Sequence, residues 1–100
     1  MTTPTDPVAA DETARVTVHY WASARAAAGV SSDELVVTGA LTLTDVVRRA
    51  AALHPGSRLP QVLEACSVLI GDRPVASSHP DDVQVRPGET VEFLPPFAGG

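Results

Sequence analysis

One cysteine, no lysine and four aromatic residues are all that 100 positions contain of these types. With Cys66 the single thiol, neither a disulfide framework nor a four-cysteine metal or iron–sulfur site can be built within one chain, so the fold must stand on packing alone. The lack of lysine leaves no side-chain amine to receive an isopeptide bond from another carrier, and in any such linkage this chain is the acyl side. Against the few aromatics stand fifteen Ala and fourteen Val, which predict a thin, Val-rich core of the kind a small sheet provides. Basic residues are scarce and scattered apart from Arg48 and Arg49, and the formal net charge is -5. That excludes the clustered positive charge on which nucleic acid and anionic membranes depend, and leaves proteins, including ones with a basic docking face, as the expected partners. No run is long and apolar enough to span a bilayer, and residues 1–14, which include Asp6, Asp11 and Glu12, do not form a secretory signal. A cytoplasmic location is expected.

One hundred residues suffice for a single core. Residues 1–14, rich in Thr, Pro, Ala and acid, predict a disordered leader, because they cannot bury enough apolar area to offset their ordering entropy. Domain 15–100 follows. Val16, Val18 and Tyr20 alternate with polar residues and predict a first strand over 15–21; the Ala-rich stretch 22–29 reads as a loop with a single helical turn. Residues 33–38 predict a second strand, in a hairpin with the first. Thr42, three residues before Asp45, resembles a capping box, and Leu43, Val46, Val47, Ala50 and Leu53 recur at helical spacing up to the stop at Pro55-Gly56. Leu59, Val62 and Leu63, with Pro60 in the first turn, predict a second short helix. Strands are expected over 67–70, at the edge over 73–75, and over 90–94, where Val91 and Phe93 share a face. A polar loop spans 77–82. One strong helix against four or five strands predicts an α+β domain whose helix packs across one face of a mixed sheet.

Within this frame little can do chemistry. His19, His54 and His79 are scattered singly, Asp81-Asp82 reads as a solvated turn, and Cys66 begins an apolar strand with no base beside it in sequence. The C-terminus differs. Phe93-Leu94-Pro95-Pro96-Phe97-Ala98-Gly99-Gly100 passes from a core strand through two stiff prolines to a tip with almost no side chains. Pro95 and Pro96 favour extended backbone, and the four residues beyond them reach roughly 13 Å. Paired glycines pass through a narrow channel and adopt angles closed to other residues. Such an end suits another protein's active site.

Leu94-Pro95-Pro96-x-x-Gly99-Gly100, with Pro87-Gly88-Glu89-x-Val91 before it and Tyr20-x-Ala22-x-Ala24-Arg25 and Ala28-Gly29 far upstream, resembles the MoaD/ThiS family of sulfur carriers over residues 15–100. Glu89 stands where that family often has Asp. The resemblance implies a ubiquitin-like β-grasp fold and, from its Leu-Pro-Pro ending, a role in molybdopterin synthesis. It further implies that an E1-like adenylyltransferase uses ATP and magnesium to adenylate Gly100, that sulfur then replaces AMP as a thiocarboxylate, and that the loaded tail enters the large subunit of molybdopterin synthase. No cofactor is expected to stay bound, and the chain has no active site of its own. By position, Gly100 carries the sulfur and Gly99 gives steric access, while Phe97, Pro96 and Leu94 seat the neck of the tail in both partners, with Phe97 the favoured anchor. Leu94 serves equally as the end of the core, and Arg25 as a structural hydrogen-bonding residue. Carriers for thiamine or cysteine synthesis, a ubiquitin-like modifier, and a plain interaction module are the alternatives.

Overall fold

A computed structural model describes residues 14–75 and 79–96. Residues 1–13, most of the expected leader, lie outside the described residues, as do 76–78, at the start of the polar loop, and 97–100. The described chain begins at Ala14, whose carbonyl accepts a hydrogen bond from the Val37 amide at 2.9 Å.

Strand β1 (Arg15–Tyr20) buries Val16, Val18 and Tyr20, the alternation read from sequence. It is followed by helix α1 (Ala22–Ala28), not by a loop. Five of its seven residues are Ala, the best helix former, and the helix is held by tertiary contact: Ala24 is fully buried, and Gly29, at φ 81, closes the end with its amide on the Arg25 carbonyl. Strand β2 (Ser32–Val36) pairs antiparallel with β1, Val16 opposite Leu35. It stops two residues short of the expected Thr38, although the Val37 amide still reaches across to the Ala14 carbonyl in the same register.

Next comes a two-residue strand, β3 (Leu41–Thr42), too short to show any period in sequence. Thr42 also caps helix α2 (Leu43–Ala52), its hydroxyl accepting from the Asp45 amide at 3.1 Å. Leu43, Val46 and Ala50 are buried as expected. Leu53, assigned to the same apolar stripe, lies beyond the last turn and is 50% exposed. Helix α3 (Leu59–Glu64) takes Pro60 in its first turn and buries Leu59 and Leu63. Strands β4 (Ser67–Ile70) and β5 (Arg73–Pro74) form a hairpin through Gly71, a 3₁₀ turn over Pro80–Asp82 occupies part of the polar loop, and β6 (Gln84–Val85) pairs with β3.

Strand β7 (Thr90–Leu94) completes the main sheet in the order β2-β1-β7-β4-β5. It runs parallel to β1 and antiparallel to β4, so the sheet is mixed. Val91 and Phe93 are fully buried with Val46 and Ala50 of α2, which makes one core on one face. The β3–β6 pair forms a separate two-stranded sheet that the strand count did not include. No described helix is long and apolar enough to cross a membrane.

Candidate functional site

Strand β7 lies in the middle of the sheet, and its last residue is the last one that pairs: Leu94 stands opposite Ser67 of β4. Pairing stops there because Pro95 and Pro96 have no amide to donate to a ladder. The backbone at this exit is held from the other side by Trp21, whose amide donates to the Phe93 carbonyl at 3.2 Å. Burial falls stepwise outward, from Phe93 fully buried through Leu94 and Pro95 half-buried to Pro96 exposed. The described chain therefore leaves the sheet at Pro95-Pro96 from its central strand rather than from an edge.

Of the five residues assigned to the tail, Leu94 and Pro96 are placed by the structure, and Phe97, Gly99 and Gly100 lie outside the described residues. Leu94 does not complete the core. The alternation of β7 puts it on the face opposite Val91 and Phe93.

That outer face carries a group the sequence reading passed over. Glu92 sits directly between His19 on β1 and Leu69 on β4. Its Oε1 accepts from the Trp21 indole Nε1–H at 2.7 Å and faces His19 Nδ1 at 3.1 Å, while the His19 and Trp21 rings meet at 4.7 Å between centroids. Trp21 remains 45% exposed. The available signals were parity and chemistry: Trp21 stands two residues after His19, just past the end of β1, and Glu92 is an acid between two core residues.

The other singled-out residues serve structure. Asp33 Oδ2 accepts from the Tyr20 hydroxyl at 2.8 Å and lies 2.6 Å from His54 Nε2, which ties β1, β2 and the segment after α2 together. Burial, then the bond to Asp33 and its charge, push the Tyr20 hydroxyl above its ordinary pKa, so it keeps its proton. Cys66 is half-buried, its thiol points at the Val62 carbonyl at 3.3 Å, and burial pushes its pKa up to about 11, the opposite of what a nucleophile needs. It borders an apolar groove of about 630 Å³ that Leu43, Val47, Val68 and Val75 also line. Arg25 is exposed on α1 and, among the described residues, makes no hydrogen bond through its guanidinium. Among the described residues no group of three or more His, Cys, Asp or Glu is arranged to hold a metal ion.

Residues 18–100 match the ThiS family. A molybdopterin synthase sulfur carrier subunit of Aspergillus niger is 30% identical over 83 residues, spanning 83% of this chain and 91% of the relative. Among solved structures, small archaeal modifier protein 1 of H. volcanii superposes with a TM-score of 0.68 at 19% identity, covering 84% of this chain and 99% of its own. In the complex of subunits 1 and 2 of the molybdopterin-converting factor from Helicobacter pylori, one chain matches with a TM-score of 0.58 at 17% identity, covering 86% and 99%. At these identities the structures establish the fold, a ubiquitin-like β-grasp, as the tail motif had implied.

Proposed function

The chain belongs to the ThiS family, and from that premise we propose that it carries sulfur as a thiocarboxylate on Gly100 for the synthesis of molybdopterin. The observation that carries this reading is the origin of the tail: Pro95 and Pro96 continue the central strand β7, with four residues and a Gly-Gly end still to come. An α-carboxyl group has a pKa of roughly 3.3 to 3.7, so at neutral pH it is an anion and a poor electrophile. Joining it to AMP removes the charge and supplies a leaving group. An E1-like activating enzyme performs this step with ATP and magnesium, releasing pyrophosphate. A persulfide sulfur then attacks the acyl carbon and displaces AMP, and reduction of the resulting acyl disulfide by a thiol leaves the thiocarboxylate.

The role of this chain is delivery. The sheet anchors the tail, the prolines hold its root extended, and the small terminal residues reach into a site that supplies the catalytic groups. The large subunit of molybdopterin synthase is the receiving partner in this proposal, in keeping with the name of the Aspergillus niger relative and with the two-subunit Helicobacter pylori complex. Pro96, Leu94 and Phe97 are its proposed contacts at the neck, and Gly99 its point of steric access.

Incubated with an activating enzyme, ATP and a sulfur donor, the full chain should gain the mass of one oxygen-to-sulfur exchange at its C-terminus. Deleting Gly100 should abolish the gain without lowering the melting temperature. Sulfur loading of the truncated chain would refute the assignment.

A further inference from the structure

Beside the root of the tail, the outer face of the sheet presents an acid that bonds within the chain through one oxygen and turns the other to solvent. Both neighbours of Glu92, the Trp21 indole at 2.7 Å and the His19 ring at 3.1 Å, meet the same oxygen, Oε1. No described residue donates to Oε2, and the side chain keeps 24% of its surface exposed. A carboxylate oxygen has capacity for two donors, so Oε2 offers a fixed, solvent-facing acceptor that a partner can reach. It is fixed because the Trp21 indole bond holds Oε1, with the His19 ring beside it, and because the flanking backbone belongs to the central strand. The Trp21 ring, anchored through its N–H and backed by His19, turns a half-exposed aromatic surface to the same solvent.

We infer that Glu92 and Trp21 together form a seat for the guanidinium of an arginine projecting from a partner protein. The cation pairs with Oε2 and lies against the indole. Each half of the site selects the same chemistry. A solvent-facing carboxylate oxygen attracts a cation, and a Trp face binds one best among aromatic rings. The planar guanidinium donates in its plane while stacking through its face, whereas an ammonium is a compact, strongly hydrated point charge. Charge on the chain as a whole favours a basic partner, at a formal -5 with no Lys. The seat also adjoins the tail. Glu92 precedes Leu94 by two residues, and the Trp21 amide holds the Phe93 carbonyl, so a protein that receives the tail passes over this face. The identity of the partner rests on the sulfur-carrier reading; the chemistry of the seat does not.

The full chain has one tryptophan, so its indole Nε1–H gives a single resolved NMR signal for the site. Titration with the blocked tripeptide acetyl-Gly-Arg-Gly-amide should move that signal saturably, and the lysine counterpart should bind several-fold more weakly. Glu92→Gln keeps an oxygen for Trp21 and His19 but removes the charge; it should weaken arginine binding about fivefold or more, as loss of roughly 1 kcal/mol of ion pairing implies. Trp21→Leu, followed at the Glu92 backbone amide, should weaken it as well. Lack of a saturable shift, equal binding of arginine and lysine, or unchanged binding by Glu92→Gln would each overturn the inference. Sulfur loading is read separately, by mass at Gly100. A chain that takes sulfur but ignores arginine sinks only this inference, and one that binds arginine but takes no sulfur sinks only the carrier reading.

Discussion

The two faces of the main sheet are made from the same strands and do opposite work. On the inner face Val16, Val18, Tyr20, Val91 and Phe93 are all but sealed from water, and the helices close over them. On the outer face Thr17, His19, Glu92 and Leu94 alternate with them along the same backbones, and no described helix covers them. The inner face is the source of stability, at about 25 cal/mol for each Å² of apolar surface removed from water. The outer face is free to be polar, aromatic and acidic because folding asks little of it. Such a division lets contacts on one side change without loosening the other.

The sharpest test sets one residue from each face against another. Phe93→Ala removes a fully buried ring from the middle strand and should cost about 3–5 kcal/mol by denaturant unfolding. Val36→Ala, in β2 but 61% exposed, should cost less than about 1 kcal/mol. Similar costs for the two would show that the outer face is covered in solution and that the comparison is false.

An intermediate effect is expected where the inner face holds a polar group. Tyr20 is almost completely buried, and its hydroxyl depends on Asp33, which His54 also approaches. Asp33→Ala leaves that hydroxyl without its acceptor and should cost about 1–3 kcal/mol. Tyr20→Phe in the same background should recover part of the loss, because the orphaned group is then gone. If the double variant is no more stable than Asp33→Ala alone, the Asp33 contact is not what satisfies Tyr20.

Most of the inner face could be read directly from the sequence, and the reason is periodicity. Alternation in β1 and β7 and the 3.6-residue recurrence in α2 are averages over many residues, so a single misfit such as Leu53 does not disturb them. Helix α1 was lost because eight Ala-rich residues carry no pattern of their own; the burial of Ala24 decides that structure, and burial is a property of the whole fold. The β3–β6 pair was lost because two-residue strands are too short for any period. The tail motif was legible, since it is contiguous. Trp21 and Glu92 stand 71 positions apart and meet only because β1 and β7 run side by side in parallel, a neighbour relation that no local pattern encodes.

The smallest expected effect lies where neither face of the main sheet is involved. Thr42 ends β3, pairing with Gln84, and in the same residue begins α2, its hydroxyl accepting the Asp45 amide at 3.1 Å. An amide in the first turn of a helix has no partner within the helix, so loss of this oxygen leaves it to water. Thr42→Ala should cost about 1 kcal/mol, and Thr42→Ser, which keeps the oxygen, only a few tenths. Because the β3–β6 ladder uses backbone groups, both variants retain it, and the difference between them isolates the cap. Equal losses from Ala and Ser would instead assign the role of Thr42 to its methyl group, and so to packing between the small sheet and the start of α2.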